Sequence, residues 1–389
     1  MRGELRGGPR GERRGGYRVV CATESARARR EFIEFPKRLY RGHRLWVPMF
    51  DTDMRLLLSR KHPFFLHSPG EFFLLERAGE TVGRCMVADN RRYNEHHGTS
   101  FAFFDFFDCI DDERGAAALF DHVGSWAAAR GLDGLCGPML SGGSCGAGVL
   151  VQGFEYPAAM TMMRYNYPYY QRLLEGCGFQ KYVDLNSLSV PPERMALPER
   201  IERLAQRVLE RGRFKILAMS SRRDLRRVAP RLKELYGRTL SHHLEDYPLT
   251  PQELDQVEKD LLAVADPGLV TILTYDGQIV GYAFGFADVS PALRSNRGRL
   301  GPLCILRLLR GIRSARKILF NGLGILPEYQ KLGGNAVMYD RMARVVRERG
   351  FEEIEMVQIS EQTDLMLRDA SSLGGKPFKV HRMYHKTLR

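Results

Sequence analysis

Apolar and polar positions along the chain keep two kinds of register, one of period two and one of period three to four, and these follow one another in the same order twice. The first succession predicts a strand over 17–22, a helix over 24–40 and a hairpin of strands 72–76 and 81–88 turning at Ala78-Gly79-Glu80. A strand over 101–109 follows, then a helix from Asp111-Asp112 to 130 that Gly131 stops. Strand 132–136, a short helix over 167–176 and a closing strand over 179–188 complete it. The second succession runs through strand 213–219, helices 222–240 and 251–265, and a hairpin of 270–275 with 278–287. Strand 320–326, a helix opening at Gly333-Gly334 and stopped by Gly350, strand 352–359, helix 362–373 and strand 378–384 finish the chain. Strands alternating with helices predict an α/β fold, and the repeated order argues an internal duplication. The expected organisation is a basic tail over 1–16, an N-terminal domain over 17–190, a linker helix over 191–212 and a C-terminal domain over 213–389.

The stretch 320–350, FNGLGILPEYQKLGGNAVMYDRMARVVRERG, is the most informative. Its apolar strand ends at Pro327, which cannot donate to a ladder, and the two glycines let a ligand approach the free N–H groups of the helix start. Such a helix end attracts phosphate. The pattern Ile325-x-Pro327-x-x-Gln330-x-x-Gly333-x-Asn335 resembles the acyl-CoA pyrophosphate loop of the GNAT N-acyltransferases, with Asn335 where that family carries a small residue. The tolerance of asparagine for positive φ eases the departure. A strand–glycine–helix turn is also common in other α/β proteins. The resemblance implies tandem GNAT folds, each a mixed twisted sheet flanked by helices. It assigns the pyrophosphate to Gln330, Lys331, Leu332, Gly333, Gly334 and Asn335, and the thioester carbonyl to backbone N–H groups of Gly324, Ile325 and Leu326.

The first succession has no such loop. Between strand and helix it carries Cys109-Ile110-Asp111-Asp112-Glu113, whose acids repel a pyrophosphate. Asn166-Tyr167-Pro168-Tyr169-Tyr170 nevertheless resembles the GNAT helix that supplies an Asn and a Tyr acid, whereas the second half has Thr363-Asp364 and Ala370-Ser371 there. One CoA-competent half and one acceptor-binding or scaffolding half follow. The phrases FIEFPKRLYRGHRLWVPMFDTD, KHPFF, VGRCMVADN, YNYPYY, LLEGCGF and LGGKPF, spread over nearly the whole chain, resemble the bacterial ceramide-synthase-like family. That resemblance implies transfer of a long-chain acyl group from acyl-CoA or an acyl carrier protein to a primary amine such as a sphingoid base. A small-molecule N-acetyltransferase and an inactive scaffold are the competing expectations.

Composition adjusts this picture without changing it. Net charge is +13, which suits CoA, anionic lipid or nucleic acid, but no recognition-helix, RNA-binding or zinc pattern accompanies it, so a nucleic-acid role is not expected. The tail is Arg- and Gly-rich and reads as disordered. The seven cysteines are never spaced C-x-x-C, so neither a disulfide framework nor a metal site is expected and a reducing cytoplasm fits. Cys145 in SGGSCGAG lacks a His or Asn pattern that would make it a nucleophile. Segment 301–320 puts Ile305, Leu308, Leu309 and Ile312 on one helical arc and Arg307, Arg310, Arg313 and Lys317 on the other, suiting a peripheral contact with the inner face of the membrane. A core-facing surface helix shows the same stripe. For the chemistry, Glu328, Asp364 and His242, beside His243 and Glu245, are candidate bases. Tyr384 or Tyr329 is a candidate acid for the thiolate, and Tyr167, Tyr169 and Tyr170 would serve only if the halves face each other.

Overall fold

The computed structural model describes residues 13–140, 146–191, 196–240 and 246–388. The N-terminal half comprises β1 (Arg13–Arg14), β2 (Tyr17–Cys21), α1 (Ala26–Leu39), α2 (Asp51–Leu58), β3 (Gly70–Arg77), β4 (Glu80–Ala88), α3 (Arg91–His97), β5 (Phe101–Cys109), α4 (Glu113–Ala128), β6 (Gly134–Gly137), β7 (Val149–Gln152), α5 (Tyr169–Gly176) and β8 (Gln180–Val190). A connecting helix, α6 (Glu199–Glu210), leads into the C-terminal half. That half holds β9 (Phe214–Leu217), α7 (Arg222–Leu240), α8 (Pro251–Val264), β10 (Val270–Tyr275), β11 (Gln278–Ala287), α9 (Ser290–Asn296) and α10 (Pro302–Ser314). It ends with β12 (Lys317–Ile325), α11 (Gly334–Arg349), β13 (Glu353–Ser360), α12 (Asp364–Ser372) and β14 (Lys376–Thr387). The expected tail ends earlier than read: Arg13 and Arg14 pair with Arg18 and Tyr17 across the glycine turn at Gly15-Gly16.

The strands form one sheet in the order β1-β2-β3-β4-β5-β6-β14-β8-β13-β12-β11-β10-β9, with β7 paired to β14. Two features matter for function. The first is at the middle, where β14 lies antiparallel between β6 and β8, and β8 lies antiparallel between β14 and β13. Each half therefore supplies one of the two strands paired at the centre of the sheet. The second is a pair of splays. The parallel pair β12/β13 is matched only over Lys317–Phe320 with Glu353–Met356, and β5/β6 only over Phe101–Phe103 with Gly134–Cys136. Beyond those points the strands diverge.

β5 is apolar on both faces because it is a covered central strand. Its two acids are paired: Asp105 with Arg164, and Asp108 with Arg84 at 2.7 Å. The crossing strands carry buried charge as well. Glu355 of β13 is fully buried between Lys317 of β12 (2.6 Å) and Lys379 of β14 (2.5 Å). Burial opposes the Lys317 charge, but Glu355 and Glu353 outweigh it and hold that ammonium above its usual range; at Lys379 burial wins and the value falls.

His381 on β14 is buried, with Nε2 2.9 Å from the carbonyl oxygen of Arg164, and burial pushes its value down to about 4. The unfolded imidazole titrates near 6.5. Above that pH neither state binds the proton and the contribution is full. As pH falls from 6.5 to 4 the unfolded chain gains a proton that the folded chain refuses, so stability drops at about 1.4 kcal/mol per pH unit. We expect the melting temperature to fall between pH 6.5 and 4, and the slope to flatten in His381→Gln. An unchanged slope in the variant would remove His381 as the cause.

Candidate active site

The loop from β12 to α11 makes a short 3-10 turn, Pro327–Tyr329, and then exposes Gln330, Lys331 and Leu332. Lys331 and Gly333 have positive φ, 61° and 89°, and Gly333 in that conformation starts α11 with no side chain capping it. The first N–H groups of a helix have no partner inside it, so this end is free to hold an anion. Asn335 lies within the first helical turn and needs no positive φ; its side-chain amide reaches Asp369 of α12 at 3.4 Å, and the Tyr339 hydroxyl donates to the same carboxylate at 3.0 Å. Val208 of α6 packs on Gly333, where a Cβ would come within 2.6 Å of it, and exposed Arg207 and Arg211 stand on the neighbouring turn.

The matching position in the N-terminal half is closed. Asp112 caps α4 by accepting from the Gly115 N–H at 3.1 Å, and takes the Tyr17 hydroxyl at 2.6 Å and Arg77 at 2.8 Å. Its splay is occupied as well. The Tyr169 hydroxyl donates to the Cys109 carbonyl at 2.8 Å, the Cys109 N–H donates to the Tyr170 hydroxyl at 3.3 Å, and the Asp108 carboxylate accepts from Tyr40 and Tyr170. Asn166 spends its amide on both backbone groups of Leu150. The tyrosines that resemble GNAT acid residues thus serve packing. Beside them lies a cleft lined by Trp46, Met49, Asp51, Arg84, Arg164 and Tyr170, where burial and the nearby Arg84 lower Arg164 to about 9.

In the C-terminal splay the backbone is available. The Leu326 N–H donates to Val280 at 2.9 Å, so it is committed to β11. Donors alternate along an antiparallel pair, which turns the amides of Leu323 and Ile325 toward the splay and leaves Gly324 facing β11. Gln330 Nε2 donates to the Ile325 carbonyl at 3.0 Å and ties the loop to this edge. Of the expected set Gly324, Ile325 and Leu326, Ile325 is the one whose N–H faces the splay. Gly324 instead makes room for a neighbour, since a Cβ there would meet Thr239 at 3.0 Å. The Thr239 hydroxyl lies 3.0 Å from that of Tyr282, which burial raises above the usual tyrosine range. Thr239 and Tyr282 were missed in the sequence. The signal was the spacing Gly322-x-Gly324, which leaves one face of β12 bare for neighbouring side chains.

The candidate bases and acids scatter. Glu328 is exposed, paired with Arg238 at 2.8 Å, and held below the usual carboxylate range by a backbone hydrogen bond and that arginine. Asp364 is exposed at the start of α12. Tyr384 belongs to the N-terminal core, where its hydroxyl donates to Glu175 at 3.2 Å, so the fold separates it from the loop. Strand β14 crossing into the other half is the reason. His242, like His243, Glu245 and Cys145, lies outside the described residues, three positions beyond Thr239. Among the described residues no cluster of His, Cys, Asp and Glu is placed to hold a metal.

No protein-family model matches the chain. Among solved structures, a tandem GNAT protein from the clavulanic acid biosynthesis pathway superposes with a TM-score of 0.53 at 12% identity, covering 95% of this chain and 98% of that one. This chain has the tandem GNAT fold. The glucosamine N-acetyltransferase region of a fungal multi-domain β-N-acetylglucosaminidase superposes on this chain with a TM-score of 0.54, at 12% identity over 95% of this chain and 38% of that one. In sequence, protein YghO of Escherichia coli K12 is 24% identical over 366 residues, 92% of each chain. The bacterial ceramide synthase of Caulobacter vibrioides is 27% identical over 370 residues, 92% of this chain and 94% of that one.

Proposed function

We propose that this tandem GNAT protein is an N-acyltransferase that binds an acyl thioester in its C-terminal half and passes the acyl group to an amine. The observation that carries the reading is the uncapped start of α11 beside a splayed β12 edge, while the equivalent start of α4 is closed by Asp112. Backbone N–H groups of 331–335 hold the CoA pyrophosphate, and the Ile325 N–H polarises the thioester carbonyl, an oxyanion-type stabilisation. The amine nitrogen attacks that carbonyl carbon, the C–N bond forms as the C–S bond breaks, and the amine proton is lost as the thiolate gains one. The Tyr282–Thr239 hydroxyl pair beside Gly324 is the proton relay this reading assigns.

The substrate class is long-chain acyl-CoA with a sphingoid-type amine. Its support is the likeness, over nearly the full length of both chains, to the protein named a bacterial ceramide synthase. A small-molecule N-acetyltransferase is the second reading, favoured by the glucosamine N-acetyltransferase region among the structural neighbours. The test incubates the purified chain with palmitoyl-CoA plus sphinganine, and with acetyl-CoA plus glucosamine, and follows free thiol and product mass. N-palmitoyl-sphinganine is the expected product. N-acetyl-glucosamine instead selects the second reading, and binding of neither thioester overturns both.

A further inference from the structure

A surface helix normally spends one apolar face on the fold and offers a polar one to water. α10 does otherwise. Cys304 is buried, Leu308 and Ile312 pack inward, and Gly311 lies against Val289 of the preceding segment. The remaining aliphatics point out: Leu303 is 58% exposed, Ile305 53%, Leu306 45% and Leu309 54%, with Leu300 just before the helix at 45%. The arc read from the sequence is thus divided, since Leu308 and Ile312 go to the fold while Ile305 and Leu309 join Leu303 and Leu306 outside. Lys317 leaves the helix altogether, as the first residue of β12.

Within this segment the charges have one sign, although Arg316 at its end is paired with Glu352 of the neighbouring strand end. From Ser290 to Lys317 the chain carries eight Arg and Lys and no Asp or Glu. Arg297, Arg299, Arg307, Arg310, Arg313 and Arg316 are all exposed. Among the described residues no helix is long and apolar enough to cross a membrane.

We propose that the outward face of α10, with Leu300, docks on an anionic phospholipid surface, inserting Leu300, Leu303, Ile305, Leu306 and Leu309 while the arginines meet the phosphates. Aliphatic side chains entering an acyl layer and arginines at headgroup level form the pairing such a surface recognises. The docked face sits beside the N-terminal cleft, because the Gly298 carbonyl, in the turn leading to α10, accepts from the N–H of Asp51, a cleft residue, at 2.9 Å. The proposal stands apart from the acyl-transfer reading, since it concerns binding to lipid with no thioester present.

The test is co-sedimentation of the full chain with vesicles of phosphatidylglycerol and phosphatidylcholine, and with phosphatidylcholine vesicles alone. The wild type is expected to sediment with the anionic vesicles and to be released by salt. A Leu303→Ser/Leu306→Ser/Leu309→Ser variant should partition at least about tenfold less, and Arg310→Gln/Arg313→Gln should lose the preference for anionic vesicles. Both variants change exposed residues, so an unchanged melting temperature verifies the fold. Failure of the wild type to sediment overturns the proposal, as does sedimentation of both variants like the wild type. It is equally overturned if vesicles are ignored while the leucine variant loses binding to an acyl carrier protein, or turns a dimeric wild type into a monomer.

Discussion

Leu332→Glu is expected to lower affinity for CoA by two to three orders of magnitude while leaving the melting temperature within about 1 °C of the wild type. Leu332 is 45% exposed and belongs to none of the buried core clusters, so the fold loses little. Its carboxylate would stand a few ångströms from the pyrophosphate, and like charges about 4 Å apart repel by about 4 kcal/mol at an effective dielectric near 20, which corresponds to roughly a thousandfold. Gly333→Ala makes the contrasting variant. It adds no charge, but it puts a Cβ at φ 89° and against Val208, so it should cost stability as well as affinity. Isothermal titration with CoA alongside thermal melts separates the two effects. If Leu332→Glu binds CoA like the wild type, the start of α11 does not hold the pyrophosphate, and the C-terminal assignment fails with it.

Glu355→Gln is the substitution expected to damage folding most. Glu355 is the only acid between the buried ammonium groups of Lys317 and Lys379 for which the described contacts give partners on both sides. Removing its charge leaves Lys379, 2% exposed, with the Pro157 carbonyl at 2.9 Å and, among the described residues, no counter-charge in contact. Breaking a buried pair in this way costs about 3–5 kcal/mol. For a chain of this length that lowers the melting temperature by roughly 4–6 °C. Replacing the whole group, Lys317→Met/Glu355→Leu/Lys379→Met, should recover most of the loss, because the desolvation cost of three charges goes with their attraction. A triple variant as unstable as the single one would show that the charges do more than neutralise one another. These residues join β12, β13 and β14, so the loss should reach both halves in one transition rather than melt the C-terminal half alone.

Much of this was legible along the chain. Helix α7 and strands β5, β10 and β11 have the bounds their periodicity predicts, because side-chain alternation is a local property. The glycines of 333–334 announced an open helix start for the same reason: a residue without a Cβ is needed wherever φ is positive or a neighbour comes as close as Val208 does. Other elements were not legible. α2, α3 and α9 are short, and few residues sample each period. Asp112 reads as a repelling acid in the sequence, yet its effect in the fold is to cap α4.

What the sequence by itself determined, then, is the order of the longer elements, their repetition, and a glycine loop that leaves the start of α11 open. All three follow from steric preferences within a few residues. Only the tertiary structure decided that β8 and β14 share the centre of one sheet, that Tyr384 therefore belongs to the other half, that Ile325 rather than Leu326 turns its N–H to the splay, and that α10 keeps aliphatics on both sides. Strand partners nearly two hundred positions apart, such as His381 and Leu185, are chosen by which pairing buries most surface and satisfies most backbone groups in the whole sheet. That choice has no local signature.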